Sequence, residues 1–260
     1  MNKMKALLWR EYMLGRKKIL FSLIAFAMTT VLGWLALISI KHGNLETALK
    51  NVDGEFPGMT KVLDELLYYA AMYVPAFMSI MMTDENGAVS SDLKSGWKLF
   101  GRTLPVTAAE SLGAKYILKV ISIAAVFLVN MGNFAVVSLL ADKEITAFHV
   151  NALLLLINIS LLSGLVKDAV LYRAKTEKET FFAEIASIAV FVILCIPYFR
   201  RLNRNVSGIA ANDNLQSLFK MMGVMADDMK RIFPFMLPAM LVLMAGGYFL
   251  HLMIVRRAEK

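Results

Sequence analysis

Residues 19–40, ILFSLIAFAMTTVLGWLALISI, form an uninterrupted stretch without a charged side chain. A helix needs about 20 mostly apolar residues to cross the hydrocarbon core of a bilayer, so this stretch is long enough to span a membrane. It is longer than the apolar core of a secretory signal, and no small-x-small cleavage motif follows it. The stretch therefore predicts a retained first transmembrane helix.

Similar stretches recur along the chain, which has 260 residues, of which 58% are hydrophobic and only 18% are charged. This balance lies far from that of a soluble domain. The sequence predicts an all-α integral membrane protein with a single transmembrane domain, residues 1–260. Its six transmembrane helices are predicted at about 19–40, 64–83, 116–141, 145–170, 180–199 and 232–255.

The basic residues predict how the chain is oriented. Six basic residues and a single acid, Glu11, precede the first span, which favours a cytoplasmic N-terminus. An even number of spans places the C-terminus on the same side of a cell membrane. The loop 200–231 is basic although this topology makes it external, so its orientation stays open. Because the net charge of +8 comes from residues at span ends, it favours the lipid bilayer as partner over nucleic acid.

Residues that carry chemistry are few and scattered. Cys195 is the only cysteine, so no intramolecular disulfide is possible. The histidines His42, His149 and His251 are far apart in the sequence and form no H-E-x-x-H pair, and there is no G-x-S-x-G motif. We therefore expect no catalytic residues, no metal site and no enzymatic activity in this chain.

A short basic segment, LKSGWKLFGRTLP at 93–105, separates the second and third spans. Pro105 cannot continue a helix, so a helix in this segment ends there. Thr107 and Glu110 then match a capping box and predict a new helix that leads into the third span. The large apolar residues of the segment recur at helical spacing: Leu93, Trp97, Phe100 and Leu104.

The segment 93–105 thus combines an apolar face with basic side chains, and two interpretations of it remain open from the residues alone. It could anchor the loop on lipid headgroups, with Trp97 as an interfacial aromatic residue. Alternatively, Trp97 and Phe100 could fill a groove of a cytoplasmic partner protein. The pattern at 93–105 does not choose between lipid and protein.

The N-terminal residues 1–18 also have two faces. Lys3, Arg10 and Lys17 share one face, while Met4, Leu8 and Tyr12 form a row on another. This pattern predicts a helix that lies in the cytoplasmic interface of the membrane. A basic leader that only sets topology explains the same residues.

Four ionisable residues are predicted near the inner ends of spans: Lys119, Lys167, Asp168 and Glu184. A charge in the bilayer is costly, which favours pairing or extension toward the interface. The functional interpretation is a set of ion pairs at an inner gate. The alternative is side chains that only reach the interface.

Four asparagines lie within the third and fourth spans: Asn130, Asn133, Asn151 and Asn158. Amide side chains in a membrane form hydrogen bonds between helices, and this is the role we expect. Lining a substrate route is the alternative.

Several motifs together resemble one family. TDENG at 83–87, WKLFGRTLPVT at 97–107 and AKYIL at 114–118 are similar to the cytoplasmic signature of bacterial ABC type-2 transporter permeases. MKALLWRE at 4–11 resembles the basic, aromatic elbow of that family. LYRAK at 171–175 departs from the family pattern, because Ala174 stands where an aromatic residue is usual. The resemblance is greatest to the small six-span permeases of exporters of amphipathic or antimicrobial peptides.

The resemblance implies specific roles for two segments. The segment 93–105 would be the coupling helix that docks on an ATPase subunit. The elbow helix would include Trp9, Arg10 and Tyr12. The coupling residues implied by the resemblance are Leu93, Trp97, Lys98, Phe100, Leu104 and Pro105.

The resemblance also implies partners and a cargo. Two cytoplasmic ATPase subunits would bind ATP and Mg²⁺, since this chain has no G-x-x-x-x-G-K-[ST] phosphate loop and no cofactor site of its own. A second permease chain, identical or homologous, would complete the transporter in the bacterial cytoplasmic membrane. The cargo would be an amphipathic peptide or a lipid-like toxic molecule. The alternative function is a non-transporting scaffold or signalling protein that binds a partner through 93–105.

Overall fold

The computed structural model of the chain describes residues 3–42, 59–80, 106–174, 179–206 and 214–258. These residues are almost entirely helical and include no strand, which confirms the all-α class for the described part of the chain. The helices, in chain order, are α1 Lys3–Lys41, α2 Met59–Ile80, α3 Ala108–Ala141, α4 Ala147–Leu171, α5 Glu179–Val206 and α6 Asn214–Ala258.

Five of these helices contain a stretch long and apolar enough to cross a membrane: α1, α3, α4, α5 and α6. Helix α2 is not among them. It carries Lys61, Asp64 and Glu65 in its first two turns, and the predicted span 64–83 extends past its last described residue, Ile80. Length and composition thus support five of the six predicted spans, and the second stays a prediction.

Helix α1 covers both the predicted elbow segment at 1–18 and the predicted first span at 19–40. The structure has one continuous helix of 39 residues from Lys3 to Lys41. Its physical reason is that a change from basic to apolar side chains does not interrupt the backbone ladder, and no proline lies near residue 18. A helix of this length extends about 58 Å, well beyond the hydrocarbon core alone.

The segment 200–231, predicted to lie outside the membrane between the last two spans, is helical over its described residues. Helix α5 continues to Val206, and α6 already begins at Asn214, whereas the apolar stretches that fit a membrane are Glu179–Pro197 and Lys230–Arg257. Charged side chains end a span because they avoid lipid, but they do not end a helix. Pro197, Pro234 and Pro238 lie inside these two helices.

The start of α3 confirms the predicted capping box. The backbone N–H of Thr107 donates to Glu110 Oε2 at 2.8 Å, and the backbone N–H of Glu110 donates to Thr107 Oγ1 at 3.2 Å. At the other end, Asp142 adopts a left-handed conformation with φ of 52°, and the N–H of Lys143 donates to the carbonyl of Ser138 at 3.0 Å. This hydrogen bond is typical of a Schellman motif and ends the helix at Ala141.

The chain divides into two compact units. The first consists of Met1–Gly15, Asp84–Lys119 and Leu154–Lys260, and the second of Arg16–Thr83 and Val120–Leu153. The first unit thus holds the starts of α1 and α3, most of α4, and helices α5 and α6. The second unit holds the remainder of α1 and α3, the start of α4, and α2.

In the second unit, α1, α2 and α3 meet where Pro75 interrupts the hydrogen bonding of α2. Pro75 has no N–H to offer the carbonyl of Ala71 four residues earlier. Asn133 Nδ2 donates to that carbonyl instead, at 3.2 Å, and Asn133 Oδ1 accepts a hydrogen bond from Trp34 Nε1 at 3.0 Å. Gly33 allows the close approach, since a Cβ atom there would lie 3.1 Å from the Cα of Ala71.

Candidate functional site

The predicted inner-gate residues form two ion pairs in the first unit. Lys119 Nζ lies 3.4 Å from Asp168 Oδ2, and both side chains are almost fully buried, at 1% and 4% exposure. Lys167 Nζ lies 2.7 Å from Glu184 Oε2, where the glutamate side chain is 56% exposed. The Lys119–Asp168 pair joins α3 to α4 out of contact with solvent, and the Lys167–Glu184 pair joins α4 to α5 nearer the surface.

Glu11 extends the buried charges to the start of α1. Its side chain is 1% exposed, Arg10 Nη1 donates to its Oε1 at 2.9 Å, and Lys115 Nζ lies 4.0 Å from its Oε2. Lys115 also lies over the ring of Tyr172, with its ammonium nitrogen 5.5 Å from the ring centre. We call Arg10, Glu11, Lys115, Lys119 and Asp168 the buried ion network.

Tyr116 and His251 add a neutral contact beside the buried ion network. His251 is fully buried, and its Nε2 lies 3.0 Å from the backbone oxygen of Leu165. A carbonyl oxygen only accepts, so Nε2 carries the hydrogen. In the neutral ring Nδ1 then accepts a hydrogen bond from the Tyr116 hydroxyl at 3.0 Å. The imidazole of α6 thereby connects α3 with α4.

Apolar packing holds this contact in place. Leu112, Tyr116 and Leu165 form a buried cluster against which Tyr248 packs from α6. The rings of Tyr116 and Tyr248 are 5.3 Å apart in an edge-on arrangement. At Gly247 a Cβ atom would lie 2.3 Å from Leu165 Cδ2, so a larger residue there would require Leu165 to shift.

An exposed ion pair connects the first residues of α1 and α3. Lys3 Nζ lies 3.0 Å from Glu110 Oε2, the same carboxylate that completes the capping box. The backbone N–H of Thr107, the Lys3 ammonium and the Thr107 hydroxyl together lower the pKa of Glu110 below its ordinary value of 4.5. Three groups from two residues, Thr107 and Lys3, thus favour the charged carboxylate at this helix start.

The second unit contains a different kind of polar site, built from aromatic rings. Tyr68, Tyr69 and Tyr73 from α2, Phe134 from α3 and His149 from α4 contact one another with ring centres 5.3 to 6.5 Å apart. We call these five residues the aromatic cluster. Edge-on and offset arrangements of this kind stabilise packing beyond the area they bury.

His149 also takes part in capping the N-terminus of α4. The backbone N–H of Thr146 donates to His149 Nδ1 at 3.0 Å, so Nδ1 is the acceptor and Nε2 carries the hydrogen of the neutral ring. The Tyr68 hydroxyl lies 3.4 Å from Nε2. Thr146 and His149 thus occupy the positions of a capping box in which histidine replaces glutamate.

Lys143 lies at the exposed edge of the aromatic cluster, where it contacts two acids and the Tyr68 ring. Its Nζ lies 3.1 Å from Asp64 Oδ2, 3.0 Å from Glu65 Oε1 and 4.6 Å from the ring centre of Tyr68. Partial burial lowers the pKa of Lys143, but the hydrogen bonds to Glu65 and Asp64 outweigh that effect and raise it above 10.5. The ammonium is therefore firmly charged at neutral pH.

Two of the other predicted asparagines also form hydrogen bonds between helices. Asn130 Nδ2 donates to Ser79 Oγ at 2.7 Å, and Asn158 Nδ2 donates to the carbonyl of Met236 at 3.0 Å. Asn151 differs, because its amide donates to the carbonyl of Ala147 in its own helix. The interhelical role is therefore confirmed for Asn130 and Asn158, as for Asn133 above.

The remaining predicted site residues lie at the N-terminus and in the cytoplasmic segment. Trp9 and Tyr12 are exposed on α1, and their ring centres are 5.6 Å apart. Arg10 is bound to Glu11, as described above. The predicted coupling residues at 93–105 lie outside the described residues. Within the described ranges, no three histidine, cysteine or acidic side chains are grouped so that they could hold a metal ion.

The sequence did not predict the polar contacts of four residues: Glu11, Lys115, Tyr116 and His251. Glu11 carried a signal, as the single acid in an otherwise basic leader. No sequence pattern connects Tyr116 with His251, which lie 135 residues apart.

Comparison with known families gives one match. The sequence model of a family described as ABC-2 family transporter protein matches residues 56–226, about two thirds of the chain. Neither the curated proteins nor the solved structures include a match.

Proposed function

This chain belongs to the ABC-2 family of transporter proteins, and from that premise we propose that it is the permease subunit of an ATP-driven exporter. The family match carries this proposal. The five described helices that are long and apolar enough to span a bilayer support it, because a permease must supply the membrane path. The cargo we propose is an amphipathic peptide or a lipid-like toxic molecule.

Energy would come from partner proteins. The printed sequence contains no G-x-x-x-x-G-K-[ST] loop to bind nucleotide phosphates. We therefore assign ATP and Mg²⁺ to two cytoplasmic ATPase subunits. A second permease chain, identical or homologous, would complete the transporter in a bacterial cytoplasmic membrane, with both termini of this chain in the cytoplasm.

The segment 93–105 is the proposed contact with an ATPase subunit. Trp97 and Phe100 would fill a groove of that subunit, and Pro105 would end the helix just before the capped start of α3. The capping box supports this arrangement, since it begins α3 two residues after the proline. A displacement of 93–105 would then act directly on α3.

Copurification with enzymatic assay tests this function. The full-length chain is isolated from its native membranes in a mild detergent, and the ATP hydrolysis of the preparation is measured. We expect a stoichiometric ATPase subunit, and Trp97→Ala should lower its recovery or turnover about tenfold, as for loss of an aromatic hot spot. Leu99→Ala, a residue off the predicted apolar stripe, is the matched control.

Two outcomes count against the proposal. A stable chain without any ATPase would favour a non-transporting scaffold. Equal effects of Trp97→Ala and Leu99→Ala would overturn the assigned coupling face while leaving the family assignment intact.

A further inference from the structure

The start of α3 contacts three other helices within a short distance along the chain. Glu110 binds Lys3 of α1, and Lys115 lies next to Glu11 of the same helix. Tyr116, the next residue, binds His251 of α6, and one turn further Lys119 binds Asp168 of α4. Residues 108–119 therefore make directional polar contacts to α1, α4 and α6.

These contacts differ from the apolar packing around them. Burial of apolar side chains is favourable without requiring a particular direction of contact. A buried ion pair or hydrogen bond has a defined geometry, and breaking it leaves an unpaired group, which costs several kcal/mol for a charge. Lys119, Asp168 and His251 are all nearly or fully buried, so their contacts resist relative motion of α3, α4 and α6.

The polar contacts of residues 108–119 lie directly after the segment that we propose contacts the ATPase subunit. Thr107 and Glu110 cap α3 only two residues after Pro105, so the first turn of α3 is well ordered by its own hydrogen bonds. A helix transmits a displacement along its axis because its backbone bonds are local and continuous. A displacement applied at the capped start of α3 would thus reach Tyr116 and Lys119 along one continuous helix.

We propose that Tyr116 with His251, and Lys119 with Asp168, are positioning residues that couple ATP turnover by the partner subunits to movement of α4 and α6. This inference rests on the proposed function. It goes beyond that function by assigning the coupling inside the membrane domain to two contacts of α3.

The test compares two identical substitutions on adjacent rings. Tyr116→Phe removes the hydroxyl that donates to His251 and keeps the ring. Tyr248→Phe removes a hydroxyl for which the described residues show no hydrogen bond, in the same cluster. The complex with its copurified ATPase is placed in lipid nanodiscs, and kcat and KM for ATP are measured.

We expect Tyr116→Phe to lower kcat about fivefold, the factor for one lost buried hydrogen bond, with KM for ATP and ATPase recovery unchanged. Tyr248→Phe should behave as the wild type. His251→Gln combined with Tyr116→Phe should be no worse than the more impaired of the two single variants, because both remove the same contact.

The ion pair allows a rescue experiment. Lys119→Asp leaves two buried carboxylates together and should abolish turnover. Adding Asp168→Lys reverses the pair and should restore part of kcat, which the loss of a merely space-filling side chain would not do.

The outcomes separate the two proposals. If wild-type preparations contain no ATPase, the proposed function fails. If the wild type hydrolyses ATP and Tyr116→Phe equals Tyr248→Phe, the coupling role of Tyr116 is wrong. If a lower melting temperature or a lower ATPase recovery accounts for the whole drop in kcat, the contact is structural and the positioning role is overturned.

Discussion

The two units of this protein stabilise their helices with different chemistry. The first uses buried charges, with Lys119 and Asp168 paired at 3.4 Å and Glu11 enclosed beside Lys115. The second uses neutral amides and aromatic rings in its interior, and its ion pairs lie at exposed positions, such as Lys41 with Asp142. The first unit also contains the neutral contacts of Asn158 with Met236 and of Tyr116 with His251, so the difference lies in its buried charges.

This difference has an energetic meaning. A buried charge pair adds little net stability, because desolvation offsets attraction, but it is costly to break. An amide that satisfies a freed carbonyl, as Asn133 does for Ala71, stabilises one arrangement at low cost. The buried pair of the first unit therefore fixes α3 against α4 through its high cost of breaking, whereas the amide of the second unit adds net stability to one packing arrangement.

The largest expected effect is on the buried ion pair. Asp168→Ala leaves the Lys119 ammonium buried without its carboxylate and should destabilise the protein by about 3–5 kcal/mol. Lys41→Gln breaks an exposed pair of the second unit and should cost less than about 1 kcal/mol. Thermal unfolding in detergent measures both.

A paired substitution checks the cause of that effect. Lys119→Met with Asp168→Leu removes both charges and should recover most of the lost stability. Equal, small losses for Asp168→Ala and Lys41→Gln would erase the contrast between the units.

The next effect is on the amide of the second unit. Asn133→Ala leaves the Ala71 carbonyl and the Trp34 N–H without their partner and should cost about 2 kcal/mol. Asn151→Ala, which removes only a hydrogen bond within its own helix, should stay within about 0.5 kcal/mol of the wild type. A loss for Asn151→Ala as large as that for Asn133→Ala would contradict the interhelical role.

A smaller effect is expected where α6 approaches α3 and α4. The methyl group of Gly247→Ala would lie 2.3 Å from Leu165 Cδ2, which can rotate away, and 2.9 Å from the Tyr116 hydroxyl, which His251 holds. We expect a loss of about 1 kcal/mol.

Gly246→Ala is the adjacent control, because a Cβ atom there meets nothing within 4 Å. Alanine is the better helix former, so this variant should be neutral or slightly more stable. If both alanines stabilise the protein, the close approach at Gly247 is wrong.

The smallest effects depend on pH and have opposite signs in the two units. The pKa of Glu110 is lowered in the fold, so its contribution is present above pH 4.5 and is lost as the pH falls through the lower, folded value. Glu110→Gln should flatten the acid side of a plot of melting temperature against pH.

Lys143 behaves in the opposite way. Its pKa is raised in the fold, so its contribution is present below pH 10.5 and is lost as the pH rises through the higher, folded value. Lys143→Gln should flatten the alkaline side of the same plot and leave the acid side unchanged. An exchange of the two effects would contradict the assignment of these pairs.

Local patterns were predictable where neighbours in the sequence decide the structure. The capping box at Thr107 and Glu110 depends on residues three apart, and the structure has it. The change from basic to apolar side chains near residue 18 does not coincide with a helix boundary, since α1 continues to Lys41. Backbone hydrogen bonding, which polarity does not interrupt, determines that boundary.

The ionisable residues predicted at an inner gate form ion pairs, and their role in a gate stays a prediction. Lys119, Asp168, Lys167 and Glu184 do form pairs, since a charge near lipid requires a partner or water. Glu11 was overlooked because its neighbours in the chain are basic, and one of its partners, Lys115, is more than 100 residues away.

The sequence by itself determined that this is an all-α membrane protein, because long uncharged stretches satisfy their backbone only as helices in lipid. It also determined where α3 begins. Only the tertiary structure decided that Lys119 pairs with Asp168 and that His251 accepts a hydrogen bond from the Tyr116 hydroxyl. It also decided that Asn133 donates to the carbonyl that Pro75 leaves without a partner. Those contacts join residues distant in the chain, and only the packing of helices against one another brings them within bonding distance.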